Sequence, residues 1–148
     1  MSEPARELLG CAAALLDQGR AVDRLSRMVT TAALAGLVFY PVVAMRPLWT
    51  PLGFTGLVAL AGLVEMYFAL RVAFDQALFN RIAGAREAPD FSVMDEALMR
   101  LGLMPASKAG RPVAARVAGA SRLLQLQILA FAVQVLFAFA GACTAALG

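Results

Sequence analysis

A single acidic residue, Glu65, lies in the middle of an apolar segment, residues 52–70, that contains no other charged side chain. An ionised carboxylate in the hydrocarbon of a membrane costs about 2.5 kcal/mol or more. Such a side chain is tolerated only if it is neutral, is paired, or faces protein or water. Its type and position therefore predict a polar centre inside a membrane-embedded helix bundle.

Polar side chains at a similar depth are the candidate neighbours of Glu65. On the apolar segment 123–148, Gln127 lies at about the same distance from the predicted membrane interface as Glu65 does, and Gln134 follows it by seven residues on the same helix face. On the apolar segment 28–45, Thr31 lies near this depth. The sequence therefore predicts a buried polar cluster of Glu65, Gln127 and Thr31, with Gln134 deeper. Three arginines are predicted to mark the cytoplasmic interface, where lipid head groups lie: Arg27, Arg71 and Arg122.

Three hypotheses account for Glu65. It can hold helices together through hydrogen bonds, as polar side chains do in membranes. It can face a partner protein and pair with a basic or amide group there. It can also titrate as part of an ion or proton path, although a chain without any histidine has few groups for a relay.

Enzyme chemistry has little support in the sequence. The absence of histidine removes the commonest general base and metal ligand. The two cysteines, Cys11 and Cys143, are far apart, and no glycine-rich phosphate loop or nucleophile elbow occurs. The acidic residues near Asp95 are explained by helix capping and solvation. We therefore expect a protein that is not an enzyme and has no metal or cofactor.

The composition predicts an all-α integral membrane protein. Hydrophobic residues make up 61% of the chain and charged residues 16%, against about 45–50% and about 25% in soluble domains. A membrane-spanning helix needs about 20 mostly apolar residues. Three stretches without charge approach or exceed this length: residues 28–45, residues 47–64 with their continuation to Leu70, and residues 123–148.

The basic residues predict the orientation. Twelve of the thirteen Lys and Arg residues precede the first span or lie between the second and third, and only Arg46 lies on the other side. The positive-inside rule then places the N-terminus in the cytoplasm and the C-terminus outside. The small size and the Ala/Arg-rich composition suggest a bacterial inner membrane. Because the basic residues are dispersed and lack an aromatic platform, nucleic-acid binding is not expected.

The chain is predicted to form one membrane domain, residues 1–148, with three transmembrane helices. An N-terminal amphipathic helix should lie on the membrane surface, pack on the other cytoplasmic helices, or run straight into the first span. Its predicted apolar face consists of Leu8, Ala12, Leu15, Leu16, Gly19 and Val22. The second and third spans should continue as a helical hairpin into the cytoplasm. The predicted elements are the amphipathic helix 5–27, the first span 28–45, the second span with its extension 52–83, a short helix 92–103, and the third span with its extension 112–147.

Lateral association is the best-supported function. Two patterns of small residues, Ala32/Gly36 and Ala138/Ala142/Ala146, would let another helix approach closely. We therefore expect contacts with membrane lipids and with other membrane subunits or a second copy. The preferred function is a non-catalytic subunit, or an accessory or assembly factor, of a larger inner-membrane complex. The alternatives are a homo-oligomeric channel or proton-coupled transport element centred on Glu65, and a lipid-modifying enzyme whose active-site residues are not evident.

Overall fold

The computed structural model describes residues 3–43, 49–85 and 91–147, with side chains described for these ranges except residues 41–43 and 147. The all-α prediction is confirmed, because no strand occurs among these residues. The elements are α1 (Glu3–Asp17), α2 (Gly19–Val43), α3 (Trp49–Ala83), α4 (Phe91–Arg100) and α5 (Val113–Leu147), with a 3-10 turn at Ala106–Lys108.

The central element is α3, which packs against α1, α2 and α5. Seven of its ten buried residues recur at alternating intervals of four and three, the spacing of the packing seam in a left-handed coiled coil. These positions are Val58, Gly62, Glu65, Ala69, Val72, Gln76 and Phe79. Both α2 and α5 run antiparallel to α3, so that a three-helix core continues along most of its length.

The N-terminal helix α1 packs on the half of the bundle formed by the end of α3 and the start of α5. Its buried residues Leu9, Ala12, Ala13 and Leu16 form one apolar cluster with residues of these two helices. Their partners are Val72, Phe79, Ile82, Ala120 and Leu124. The sequence left three arrangements possible for this helix, and in the structure it packs on the other helices.

Two details of the predicted N-terminal helix are wrong. The segment 5–27 is interrupted at Gln18, and residues 19–27 belong to α2. The predicted apolar face is correct at Ala12 and Leu16, which are buried, but Leu8 and Leu15 are exposed and Leu9 and Ala13 are buried in their place. With alanines on several sides of this helix, apolar spacing alone does not define which side packs.

The short helix α4 ends three residues earlier than predicted. The N–H of Leu103 donates to the carbonyl of Leu98 at 2.9 Å, and the N–H of Gly102 donates to the carbonyl of Met99 at 3.0 Å. This pair of bonds is a Schellman motif, and Gly102 has the positive φ of 69° that it needs. The glycine therefore ends the helix at Arg100.

Two helices, α3 and α5, are long and apolar enough to span a membrane. Each has 35 residues, which at 1.5 Å per residue is about 52 Å. In the most apolar 18-residue window of α3, 33% of the residues are buried within the chain, against 6% in that of α5. Several large apolar side chains of α5, among them Leu129, Leu136 and Phe139, are thus left exposed by the rest of the chain.

Candidate functional site

The carboxyl group of Glu65 and the side-chain amide of Gln127 meet in the centre of the bundle. Both side chains have no exposed surface. Nε2 of Gln127 donates to Oε1 of Glu65 at 2.8 Å and to the main-chain carbonyl of Gly19 at 2.9 Å. One amide on α5 therefore joins α3 to α2.

A second polar group lies one heptad further along α5, at Gln134. Oγ of Ser26 donates to Oε1 of Gln134, and Nε2 of Gln134 donates to Oγ1 of Thr30, both at 2.8 Å. The hydroxyl of Thr30 in turn donates to the carbonyl of Ser26 at 2.7 Å. We call the five side chains of these two groups the polar ladder: Glu65, Gln127, Ser26, Thr30 and Gln134.

At two positions, only a glycine leaves enough room for the side chains of the polar ladder. A Cβ at Gly19 would lie 2.8 Å from Oε1 of Gln127. A Cβ at Gly62 would overlap Oγ1 of Thr30 and would lie 2.6 Å from Nε2 of Gln134. The absence of a side chain at both positions lets polar groups cross between helices, as small residues do at membrane-helix interfaces.

The structure brings Glu65 and Gln127 together and places Gln134 in the neighbouring group. Thr31, however, is exposed, and the prediction that it belongs to the cluster is wrong. Its neighbour Thr30 takes that place, since one residue rotates a helix by about 100°. Sequence reasoning also missed Ser26, although Gly19 and Ser26 on α2 have the same seven-residue separation as Gln127 and Gln134 on α5.

The three interfacial arginines do not form one group. Arg27 is largely exposed, and its Nε donates to Oδ1 of Asp23 at 2.8 Å on the same helix. Arg71 and Arg122 instead line a cavity between α3, α5 and the segment after α4. The surface that these two arginines share is therefore separate from α2.

The polar ladder is suited to holding three helices in register. Among the described residues, Oε2 of Glu65 and Oε1 of Gln127 are the only ladder atoms that are buried without a hydrogen-bond partner. No group of three or more His, Cys, Asp or Glu side chains within the described ranges is arranged to hold a metal ion. Glu65 is the single ionisable group of the ladder, so any proton chemistry of this site depends on it.

A separate buried polar group, outside the polar ladder, joins α4 to the first part of α5. Asp95 on α4 and Arg116 on α5 form an ion pair of 2.8 Å, with only 4% and 8% of their side chains exposed. The same Oδ2 of Asp95 accepts the N–H of Gly110 at 2.8 Å. The guanidinium group also lies 5.4 Å from the ring centre of Phe91 and donates to the carbonyl of Arg111 at 3.1 Å.

These contacts, which we call the Asp95–Arg116 clasp, fasten α4 and the following loop to α5. The hydrogen bond from Arg116 lowers the pKa of Asp95 below its usual value; burial opposes this shift, and the N–H of Gly110 adds to it. Sequence analysis assigned Asp95 only to capping and solvation, because its partner is 21 residues away and no local pattern marks such a pair.

The chain matches no protein-family model, no curated protein and no solved structure. The arrangement of the described residues is therefore the basis for the function proposed below.

Proposed function

We propose that this protein is a small, non-catalytic subunit or accessory factor of a larger complex in a bacterial inner membrane. The observation that carries this proposal is the contrast between the two sides of α5. Its inner side engages Glu65, Ser26 and Thr30 through Gln127 and Gln134. Its outer side is apolar and carries large exposed side chains between Ile128 and Phe139.

The uncovered side of α5 has the features of a helix-packing surface. Large side chains such as Leu136 and Phe139 are 62% and 69% exposed. The small residues of the pattern Ala138/Ala142/Ala146 are also exposed, so another helix can approach closely beside them. The other small-residue pattern is less available, because Gly36 faces Thr55 of α3.

A three-span arrangement fits this proposal. The hydrocarbon core of a bilayer is about 30 Å thick, so the helices α3 and α5, at about 52 Å each, continue well beyond it. Their extensions, with α1 and α4 packed on them, would form the cytoplasmic hairpin. The uncharged part of α2 provides the third span, and the basic residues place the N-terminus inside and the C-terminus outside.

The buried position of Glu65 argues for an internal structural role. Its side chain is fully buried and accepts a hydrogen bond from Gln127, so it is not placed to pair with a partner protein. A proton-coupled role is the second candidate, and one observation favours it: Oε2 of Glu65 has no hydrogen-bond partner among the described residues. A buried oxygen of this kind can carry a proton at little cost to the surrounding bonds.

Site-specific photo-crosslinking in native membranes tests the subunit proposal. A photoreactive leucine analogue at Leu136, which is exposed, should form an adduct with a second membrane polypeptide. The same analogue at Leu124, which is 6% exposed, serves as the matched control and should give only adducts within the chain. Lipid adducts alone at Leu136, with migration as a monomer, would contradict the proposal. Adducts only between copies of the chain would favour the homo-oligomeric alternative.

A further inference from the structure

A basic cavity of about 440 Å³ lies between α3, α5 and the segment that follows α4. Among the described residues, five cationic side chains line it, against the single carboxylate of Asp75. One of them, Arg116, is already paired with Asp95 in the clasp. The other four are Arg71, Lys108, Arg111 and Arg122. None of these four forms an ion pair with a side chain in the described ranges, so the cavity retains an excess of positive charge.

An apolar groove of about 340 Å³ continues from this cavity along the spans. Every side chain that lines it is hydrophobic, and Phe68 lines both the basic cavity and the apolar groove. On each of the two helices, residues that line the basic cavity and the apolar groove form one continuous stripe, in which successive members are four and three residues apart. On α3 the stripe is Leu57, Ala61, Val64, Phe68, Arg71, Asp75 and Leu78, and on α5 it is Gly119, Leu123, Leu126, Ala130, Val133 and Phe137.

This stripe on α3 lies one residue before each position of the buried seam. Val64 precedes Glu65, and Arg71 precedes Val72. None of the residues that line the basic cavity or the apolar groove belongs to α1 or α2. The combined surface is therefore separate from the polar ladder and has a charged end and an apolar end.

We infer that the basic cavity and the apolar groove together bind one anionic phospholipid. The phosphate group lies between Arg71 and Arg122, with Lys108 and Arg111 beside it, and an acyl chain follows the apolar groove past Phe68. Guanidinium groups match phosphate oxygens with two parallel hydrogen bonds, and basic pockets between spans on the cytoplasmic side suit anionic head groups. A free phosphate ion would use only the charged end. The inference depends on the membrane location proposed above.

Lipid retention by the purified chain tests this inference. The protein, in nanodiscs that contain equal amounts of phosphatidylglycerol and phosphatidylcholine, is transferred to detergent, and bound lipid is counted by native mass spectrometry. The wild type should retain phosphatidylglycerol selectively. Arg71→Gln and Arg122→Gln should each weaken retention about fivefold, the effect of one basic residue near an anionic surface. Arg81→Gln removes the same charge from an exposed site outside the cavity and should retain lipid as the wild type does.

A second variant separates a lipid from a free phosphate. Ala130→Trp should fill the apolar groove and reduce phosphatidylglycerol retention while the basic cavity stays intact. Undiminished retention in this variant, or full displacement of the lipid by millimolar inorganic phosphate, would overturn the lipid assignment in favour of a phosphate site. Equal loss in Arg71→Gln and Arg81→Gln, or equal retention of phosphatidylcholine, would overturn the site itself. Circular dichroism of each variant verifies that it is folded, and none of these results depends on a partner subunit.

Discussion

Gln127 donates one hydrogen bond to Glu65 on α3 and another to the Gly19 carbonyl on α2, at 2.8 and 2.9 Å. A single side chain on α5 thus connects all three long helices. In a hydrocarbon environment apolar surface gives no driving force for helices to associate, so packing and hydrogen bonds decide the register. Substitutions at Glu65 therefore test whether the buried polar side chains hold the helices together or carry protons.

Replacement of Glu65 separates the structural role from the proton-coupled role. Glu65→Gln retains an oxygen that accepts the bond from Gln127, so the bundle should remain as stable as the wild type. Glu65→Leu removes this bond and leaves the amide short of an acceptor, so stability should fall by about 1–2 kcal/mol. Reversible unfolding in mixed micelles measures both changes. Proton flux in liposomes that is lost in Glu65→Gln, with stability unchanged, would instead favour the proton-coupled candidate.

Gly62 should tolerate no larger side chain. The Cβ of Gly62→Ala would overlap Oγ1 of Thr30, so α2 and α3 must separate or the hydroxyl must rotate away from Gln134. We expect a loss of about 1–3 kcal/mol, as for overpacking in other cores. Gly56→Ala on the same helix is the matched control, because a Cβ there has nothing within 4 Å. A Gly62→Ala variant as stable as Gly56→Ala would show that the ladder is not closely packed at this point.

Counting residues from the predicted membrane interface correctly identified polar residues that lie at the same depth. It did not identify which of them share a helix face. Glu65 and Gln127 could be matched because each lies five or six residues from an arginine that was predicted to mark the cytoplasmic interface, Arg71 and Arg122. Thr31 was chosen instead of Thr30 because one residue of rotation is not resolved by counting depth. The clasp between Asp95 and Arg116 could not be predicted, since it depends on how the loop after α4 folds back. The end of α3 at Ala83 agrees with the predicted bound, and α5 begins at Val113, one residue after its predicted start.

The membrane orientation is tested with single cysteines at Ser107 and Thr50. Both positions are exposed in the structure. With Cys11 and Cys143 replaced by serine, an impermeant maleimide added to intact spheroplasts should label Thr50→Cys only, and Ser107→Cys should react only after lysis. This result follows from three spans with the hairpin in the cytoplasm. Labelling of both positions from outside would exclude the proposed topology.

The Asp95–Arg116 clasp should make the attachment of α4 sensitive to acid. The pKa of Asp95 is lower in the folded protein than in the unfolded chain, where it is about 3.9. The carboxylate therefore stabilises the fold fully above that unfolded value, and this contribution is lost as the pH falls through the folded pKa. The amide protection factors of residues 106–111, which correct for the pH dependence of intrinsic exchange, should stay high at about pH 6 and fall as the pH drops below about 3.9.

Two variants show whether this acid response comes from the clasp. Asp95→Asn leaves Arg116 buried without its counter-ion, and such a loss typically costs about 3–5 kcal/mol, so exchange should already be fast at neutral pH. Glu96→Gln is the control, because Glu96 pairs with Arg100 on the exposed surface and such pairs contribute about 1 kcal/mol or less. Asp95→Leu combined with Arg116→Met removes both charges and should restore slow exchange without the acid response, except at Gly110, whose N–H loses its acceptor. If the double variant still loosens below the same pH, another carboxyl group, with Asp75 the nearest candidate in the adjoining cavity, controls the attachment.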